Sequence, residues 1–374
     1  MWSVGTTSLV VLGLGQSMTA GLGVSTGAAG TLVTAFALTY AVAAPLLQFA
    51  FGGRVQQRIL IVGGLCILGA GSLWGAFADD FHQLVFSRVF AALGGALVGP
   101  TSAAVAVAIV PEQQRGRALA TVFAGFTLAT VVGVPAATWL DLTLGWRGAL
   151  ACVGASALLS AIAVALTVHG GGDREPMHLR AFIRLLGRLP VVAGLGTSTM
   201  CLAAQFAVYA LMAGLLVDRY GLPSAQLPLA VFLFGLGGVL GNAAAGMLSD
   251  RFGAPRTIVA SFVGLAAMFG LLSLPLSPMM AAMVVAGCAA CGTLFTAPQQ
   301  VRLTTLVPRQ EHAAVLALNA SAGSIGLSIG STAASLAYAA HGLGALPVAA
   351  LLLLLLAVGL FCASASSASA SQPS

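Results

Sequence analysis

Arg88 lies within an apolar run, Val85-Phe-Ser-Arg88-Val-Phe-Ala-Ala-Leu93. An ionised side chain in such a setting costs about 2.5–3.5 kcal/mol at the centre of a bilayer-spanning helix. It must face a bundle interior, a water-filled cavity or a partner. The chemistry open to it is tuning a proton site or holding an anionic or polar ligand. The alternative involves no chemistry: near the outer end of its segment, the side chain can snorkel or hold carbonyls of neighbouring helices. Asp141, at the outer end of a later apolar run, is the nearest acid that could approach Arg88. Otherwise it is a solvated loop carboxylate. No Asp or Glu falls at mid-depth in any apolar run, so proton coupling would rest on Arg88 with Asp141 or on the substrate's own charge, or be absent.

A second charged group reads as a conformational gate. Asp250 and Arg251 end one apolar run, Arg256 follows, and Arg54 and Arg58 hold the equivalent place earlier. A carboxylate there can meet arginines or a helix N-terminus when the inner side is shut. The plain alternative is a cationic loop with a helix-capping Asp. Gly125, Gly133 and Pro135 are candidate hinge residues, because glycine permits close approach and proline removes a backbone hydrogen bond. Candidate substrate contacts are the polar or aromatic groups at plausible depth: Gln16, Tyr40, Phe126, Gln205, Tyr209, Asn242 and Asn319. An uncharged, aromatic-containing lining suits neutral or amphipathic small molecules. Each of these residues could instead satisfy bonds between helices.

No catalytic pair, P-loop or paired His/Cys metal pattern is visible, so no enzyme activity, cofactor or metal is expected. Cys288 and Cys291 have C-x-x-C spacing, but within Met283-Val-Val-Ala-Gly-Cys-Ala-Ala-Cys-Gly292, where small residues at a helix interface are the simpler reading.

These residues are positioned by long apolar segments. Hydrophobic residues form 59% of the chain, charged residues 6%, and mean hydropathy is +1.02, which leaves too few charges for a soluble surface. The runs are continuous rather than alternating, which excludes a β-barrel. There are fifteen basic residues, all arginine. Twelve fall in five clusters: Arg54/Arg58, Arg115/Arg117, Arg174 to Arg188, Arg251/Arg256 and Arg302/Arg309. Enough apolar chain for two crossings separates consecutive clusters. Cationic loops stay inside. The predicted fold is therefore an all-α, multi-pass membrane protein of twelve transmembrane helices with both termini cytoplasmic. The spans lie near 2–20, 28–51, 59–77, 83–109, 118–140, 148–168, 189–216, 226–248, 257–274, 279–301, 314–338 and 344–363. The charge of +6 is a topology signal spread over loops, so the expected surroundings are lipid and a small-molecule substrate, with no nucleic acid. Met1 leads directly into the first run, so no cleavable leader is expected.

The chain also repeats. Val110-Pro111-Glu112-Gln113 and Val307-Pro308-Arg309-Gln310 are offset by 197 residues, as are Arg54 and Arg251. Two copies of six spans in the same orientation follow. The predicted organisation is an N-terminal six-helix half (1–168), a cytoplasmic central loop (169–188), a C-terminal six-helix half (189–363) and a disordered tail (364–374). A short basic helix is expected over 180–188.

Twelve spans, the 6+6 repeat and the central loop resemble the major facilitator superfamily. Gly246-Met-Leu-Ser-Asp250-Arg251-Phe-Gly253-Ala-Pro-Arg256 looks like its signature loop. Arg88-Val-Phe-Ala-Ala-Leu-Gly94-Gly95 resembles its fourth-span motif, and Gly125-Phe-Thr-Leu-Ala-Thr-Val-Val-Gly133-Val-Pro135 the span-five motif of exporters. Gly145-Trp146-Arg147 is similar to the twelve-span drug:proton antiporter branch, which includes chloramphenicol, multidrug and arabinose-type efflux carriers. The chain departs from the pattern in three places: no Asp in Gly52-Gly53-Arg54, Ala136-Ala137 in span five, and Ser8 where related exporters often carry an acid. The resemblance implies a monomeric secondary transporter of the bacterial inner membrane, with alternating access, proton-coupled efflux of small amphipathic drugs or sugar-like molecules, and Arg88 tied to coupling. Metabolite uptake, an uncoupled facilitator and a non-transporting receptor of the same fold are the alternatives.

Overall fold

In lipid every backbone N–H and C=O must be satisfied within the chain, and uninterrupted Ala/Leu/Gly/Val segments achieve this as helices. A computed structural model of the chain describes residues 1–51, 54–108, 115–168, 184–308 and 311–370. The elements are α1 (Trp2–Leu9), α2 (Val11–Gly21), α3 (Ala28–Phe51), α4 (Gln57–Ala76), α5 (Phe81–Ala108), α6 (Arg115–Leu128), α7 (Val134–Thr167), α8 (Leu189–Tyr209), α9 (Leu227–Phe252), α10 (Ala254–Leu271), α11 (Pro278–Thr305), α12 (His312–His341) and α13 (Leu346–Ala370). A π-helical turn, Ala129–Gly133, joins α6 to α7. The Val110 to Gln113 motif, Arg174, Arg180, Arg309, Gln310 and most of the central loop lie outside the described residues. The tail expected to be disordered is helical as far as Ala370.

Among the described residues, ten helices are long and apolar enough to cross a membrane, against the twelve expected. The difference has two sources. The first expected span is two short helices, α1 and α2, meeting at Val10. The fifth and sixth form one stretch of 44 residues, Ala124–Thr167, interrupted at Gly145 (φ 69°, ψ 169°). That conformation is essentially confined to glycine.

The 197-residue offset recurs in the helix boundaries. It relates the starts of α4 and α10 (Gln57, Ala254) and of α6 and α12 (Arg115, His312), and both ends of α5 and α11 (Phe81–Ala108, Pro278–Thr305). It also relates Gly145 to Gly342, whose φ of 72° and ψ of −171° match.

The described chain forms two compact units, 1–168 with 225–232, and 184–224 with 233–370. In the first, α4 packs on α5 and α7. Gly64 and Gly94 bring the α4 and α5 backbones together: a Cβ at Gly64 would lie 2.8 Å from the Gly94 carbonyl oxygen. Small residues permit such contact where lipid supplies no hydrophobic drive. Val4, Phe36, Leu65, Leu68 and Ala91 fill the core beside this seam. In the second unit α8 packs against α12 and α13. Gly326 and Gly330 of α12 face backbone carbonyls of Thr199 and Ala203 on α8, so this glycine stripe is a helix seam.

Candidate functional site

Arg88 is held on α5 with 2% of its surface exposed. Its Nη2 donates to the Ser8 carbonyl of α1 at 3.3 Å, and its guanidinium lies 4.7 Å from the centre of the Phe36 ring on α3. Nε has no partner, and neither do the buried hydroxyls of Thr6 and Thr7 on α1. Phe36 also stacks on Tyr40, centroid to centroid 6.4 Å, so Arg88, Phe36 and Tyr40 form one string. No described carboxylate lies within 4.0 Å of the guanidinium.

Asp141, on α7, accepts a hydrogen bond from the Ser17 hydroxyl of α2 at 2.5 Å. The expected partners are thus not paired with each other. Arg88 binds α1 and Asp141 binds α2, the two consecutive helices at the start of the chain. Gln16, half-buried, is the neighbour of Ser17.

The hinge candidates surround this region. A Cβ at Gly133 would strike Thr6 and come within 3.1 Å of the Trp2 ring, and one at Gly125 would lie 3.1 Å from the Trp2 backbone nitrogen. Phe126 packs against Gly5. The π turn ends as Pro135 enters the helix. Proline has no N–H to donate and its ring displaces the carbonyl four residues earlier, so a wider turn is a natural accommodation.

In the second unit, Gln205 and Tyr209 are buried on α8. Gln205 Nε2 donates to the Cys201 carbonyl at 3.3 Å. The Tyr209 ring meets Phe206 and Phe234 edge-on, at 5.7 and 4.8 Å, and its hydroxyl has no partner. Asn319 is half-buried on α12 with Oδ1 unpartnered, whereas Asn242 is exposed on α9. Cys291 lies in the α10–α11 seam, where Ser261 donates to its carbonyl at 2.6 Å.

The gate candidates are at helix ends. Asp250, Arg251 and Arg256 are exposed around Gly253, whose φ of 85° turns the chain between α9 and α10. Arg54 donates to the Ala50 carbonyl at 3.2 Å, and Arg58 donates to the Ala165 carbonyl. None of the five forms an ion pair within 4.0 Å with a described residue.

Sequence reasoning missed two features, the ion pairs of Glu311 and the burial of Arg302. Glu311, just before α12, has its carboxylate 2.7 Å from Arg188 and 3.5 Å from Arg184. Leu185, fully buried between these arginines, joins the core of the second unit. A lone acid beside arginine-only loops was the available signal. Arg302, counted with the cationic loops, is instead 7% exposed, with its guanidinium 4.4 Å from the centre of the Phe361 ring and Nη1 unpartnered. Gln299, one turn earlier, is fully buried and donates to the Gly194 carbonyl at 2.7 Å.

Arg147 and Arg219, outside the five arginine clusters, brace loops. Arg147 donates to the Ala78 carbonyl at 2.8 Å, and Arg219 to the carbonyls of Leu343 and Ser273 at 3.2 and 3.4 Å. Burial pushes the neighbouring Tyr220 phenol up, with Arg219 opposing. Asp80 caps α5, and the Gln83 amide, 2.8 Å away, holds its carboxyl below the usual range.

The Major Facilitator Superfamily family model matches residues 3–193 and 193–373. The inner membrane transport protein YdhP of Escherichia coli is 31% identical over 242 residues, which cover 64% of this chain and 62% of YdhP. A chloramphenicol resistance protein of Streptomyces lividans is 33% identical over 249 residues, covering 65% of this chain and 63% of that protein. The matches thus span less than two thirds of these relatives' own lengths. A D-xylose-proton symporter has the same fold, with a TM-score of 0.73 at 17% identity, over 95% of this chain and 94% of the symporter. With residues 3–373 matched, the chain belongs to the Major Facilitator Superfamily.

Proposed function

We propose that the chain is a secondary transporter of the bacterial inner membrane that exports small amphipathic molecules, with chloramphenicol the first to test, in exchange for protons. The observation that carries this reading is Arg88. It is a buried guanidinium in an apolar helix, satisfied only by a carbonyl and an aromatic ring, with Nε unpartnered. A charge so costly to bury marks a functional position by default. The relatives add the direction: one is named for chloramphenicol resistance.

In this reading twelve spans form two halves, 1–168 and 189–363, joined by the central loop, with both termini cytoplasmic and the chain acting as a monomer. The 197-residue register of the helix starts supports the duplication. Asp141 carries the proton and Arg88 sets its coupling. Tyr40, Phe126, Gln205, Tyr209 and Asn319 contact the substrate, with Gln16 and Asn242 at the margins. Gly125, Gly133 and Pro135 form the hinge. Asp250, Arg251, Arg256, Arg54 and Arg58 act at the inner gate.

A second reading, an uncoupled facilitator, is favoured by the separation of Arg88 from Asp141. Chloramphenicol and arabinose flux in proteoliposomes with an imposed pH gradient decides between them. Accumulation against the compound's own gradient supports proton exchange. Equilibration that ignores pH supports the facilitator.

A further inference from the structure

We infer that Ser17 is the positioning residue that sets the protonation of Asp141 and passes its state from α7 to α2. This rests on the reading of Asp141 as the proton carrier. The Ser17 hydroxyl reaches across from α2 to the carboxylate, 124 residues away in the chain. The two helices already touch closely there: Gly13 leaves room for Thr138, and Gly21 leaves room for the Trp146 indole. A movement of one helix end is therefore felt by the other.

The bond has a direction that depends on charge. An ionised carboxylate can only accept, so Ser17 must donate. When Asp141 takes a proton from the outer aqueous phase, its own O–H becomes a donor and Ser17 Oγ can accept it. The serine O–H is then released. A helical serine commonly turns its hydroxyl to a backbone carbonyl one turn earlier, which offers an alternative acceptor on α2. Loss of the proton reverses both steps, so protons and hydrogen bonds balance.

Among the described residues no cation lies within 4.0 Å of the Asp141 carboxylate, and α3, which packs on α2, carries Tyr40 as its titratable side chain. On α4, Arg58 is bound to Ala165 at the far end of α7, and Cys66 is exposed. On α7 itself, Arg147 donates to Ala78 and covers Trp146. Neither α1 nor α2 carries a charged side chain. Ser17 is a described polar side chain bonded directly to the carboxylate.

The test is an infrared pH titration of the full chain in lipid, without substrate. Subtracting the Asp141→Asn spectrum isolates the Asp141 carboxyl band. Removing a donor to the charged form favours the neutral acid. Ser17→Ala is therefore expected to move the midpoint of this band upward by about one pH unit. Ser17→Thr, which keeps the hydroxyl, restores it. Ser17→Cys, a weak donor of similar size, carries the test with a smaller upward shift if Ser17→Ala does not fold. An unchanged midpoint in Ser17→Ala and Ser17→Cys, or no band lost in Asp141→Asn, would overturn the inference. Because no transport is read, a shifted midpoint in a protein whose flux ignores pH would retain Ser17 and reject proton coupling alone.

Discussion

Arg88 and Arg302 lie on α5 and α11, helices that share both boundaries in the 197-residue repeat. Both are buried, each covers a phenylalanine ring, and each donates to one carbonyl. Their placement differs. Arg88 is near the start of its helix and Arg302 near the end of its own, and the equivalent positions hold Val285 and Val105. Arg302 takes its ring and its carbonyl from one residue, Phe361, and so staples α11 to α13. Arg88 takes its ring from α3 and its carbonyl from α1, beside the helix that holds Asp141 through Ser17. The boundaries of these two helices recur and the chemistry does not. Residues that break the repeat are therefore the ones to question first.

The largest effect should come from breaking the repeat at Asp141, whose equivalent in α12 is Tyr338. Asp141→Asn is expected to lower gradient-driven chloramphenicol flux by about 100-fold, or roughly 2.7 kcal/mol. Tyr338→Phe should leave that flux within about twofold, roughly 0.4 kcal/mol. Equal losses would deny the asymmetry.

Stability should show a different contrast. Glu311→Ala leaves two arginines facing an empty place in the second unit. Breaking a fully buried pair costs about 3–5 kcal/mol. Here Arg184 and Arg188 keep 66% and 38% exposure, so about 1–2 kcal/mol is expected, read as a lower Tm in detergent. The equivalent position in the sequence is Gln114, which lies outside the described residues.

The repeated backbone supplies a control. Gly145 and Gly342 share the same rare conformation, and nothing stands where a Cβ would go at either. Alanine at each should therefore cost the same, about 1–3 kcal/mol, from backbone strain alone. Clearly unequal losses would show that the two turns are supported differently. Overpacking at Gly133, by contrast, acts through Thr6 and Trp2, so Gly133→Ala should slow flux more than it lowers Tm.

Much of the fold was legible because lipid leaves the backbone few options. Continuous apolar runs had to be helices, and α3, α4, α5 and α8 begin within two residues of the expected spans. The offset of two short motifs carried through to helix boundaries. Span counting was less secure because it depends on local breaks: Val10 divides the first helix and Gly145 interrupts a single long stretch. Side-chain partners were the least legible. A charge near an apolar run does not say which carbonyl it meets, so Arg88 with Ser8, Ser17 with Asp141 and the burial of Arg302 emerged only from three-dimensional proximity. The Glu311 clasp joins residues 123 positions apart, beyond any helical periodicity.

The most direct test of the account is Arg88→Ala in proteoliposomes, measured both as chloramphenicol accumulation driven by a pH gradient and as exchange of labelled for unlabelled compound without a gradient. The account predicts that gradient-driven accumulation is lost while exchange persists, because in it Arg88 serves coupling and is not itself a substrate contact. Gradient-driven accumulation that survives in Arg88→Ala would contradict it.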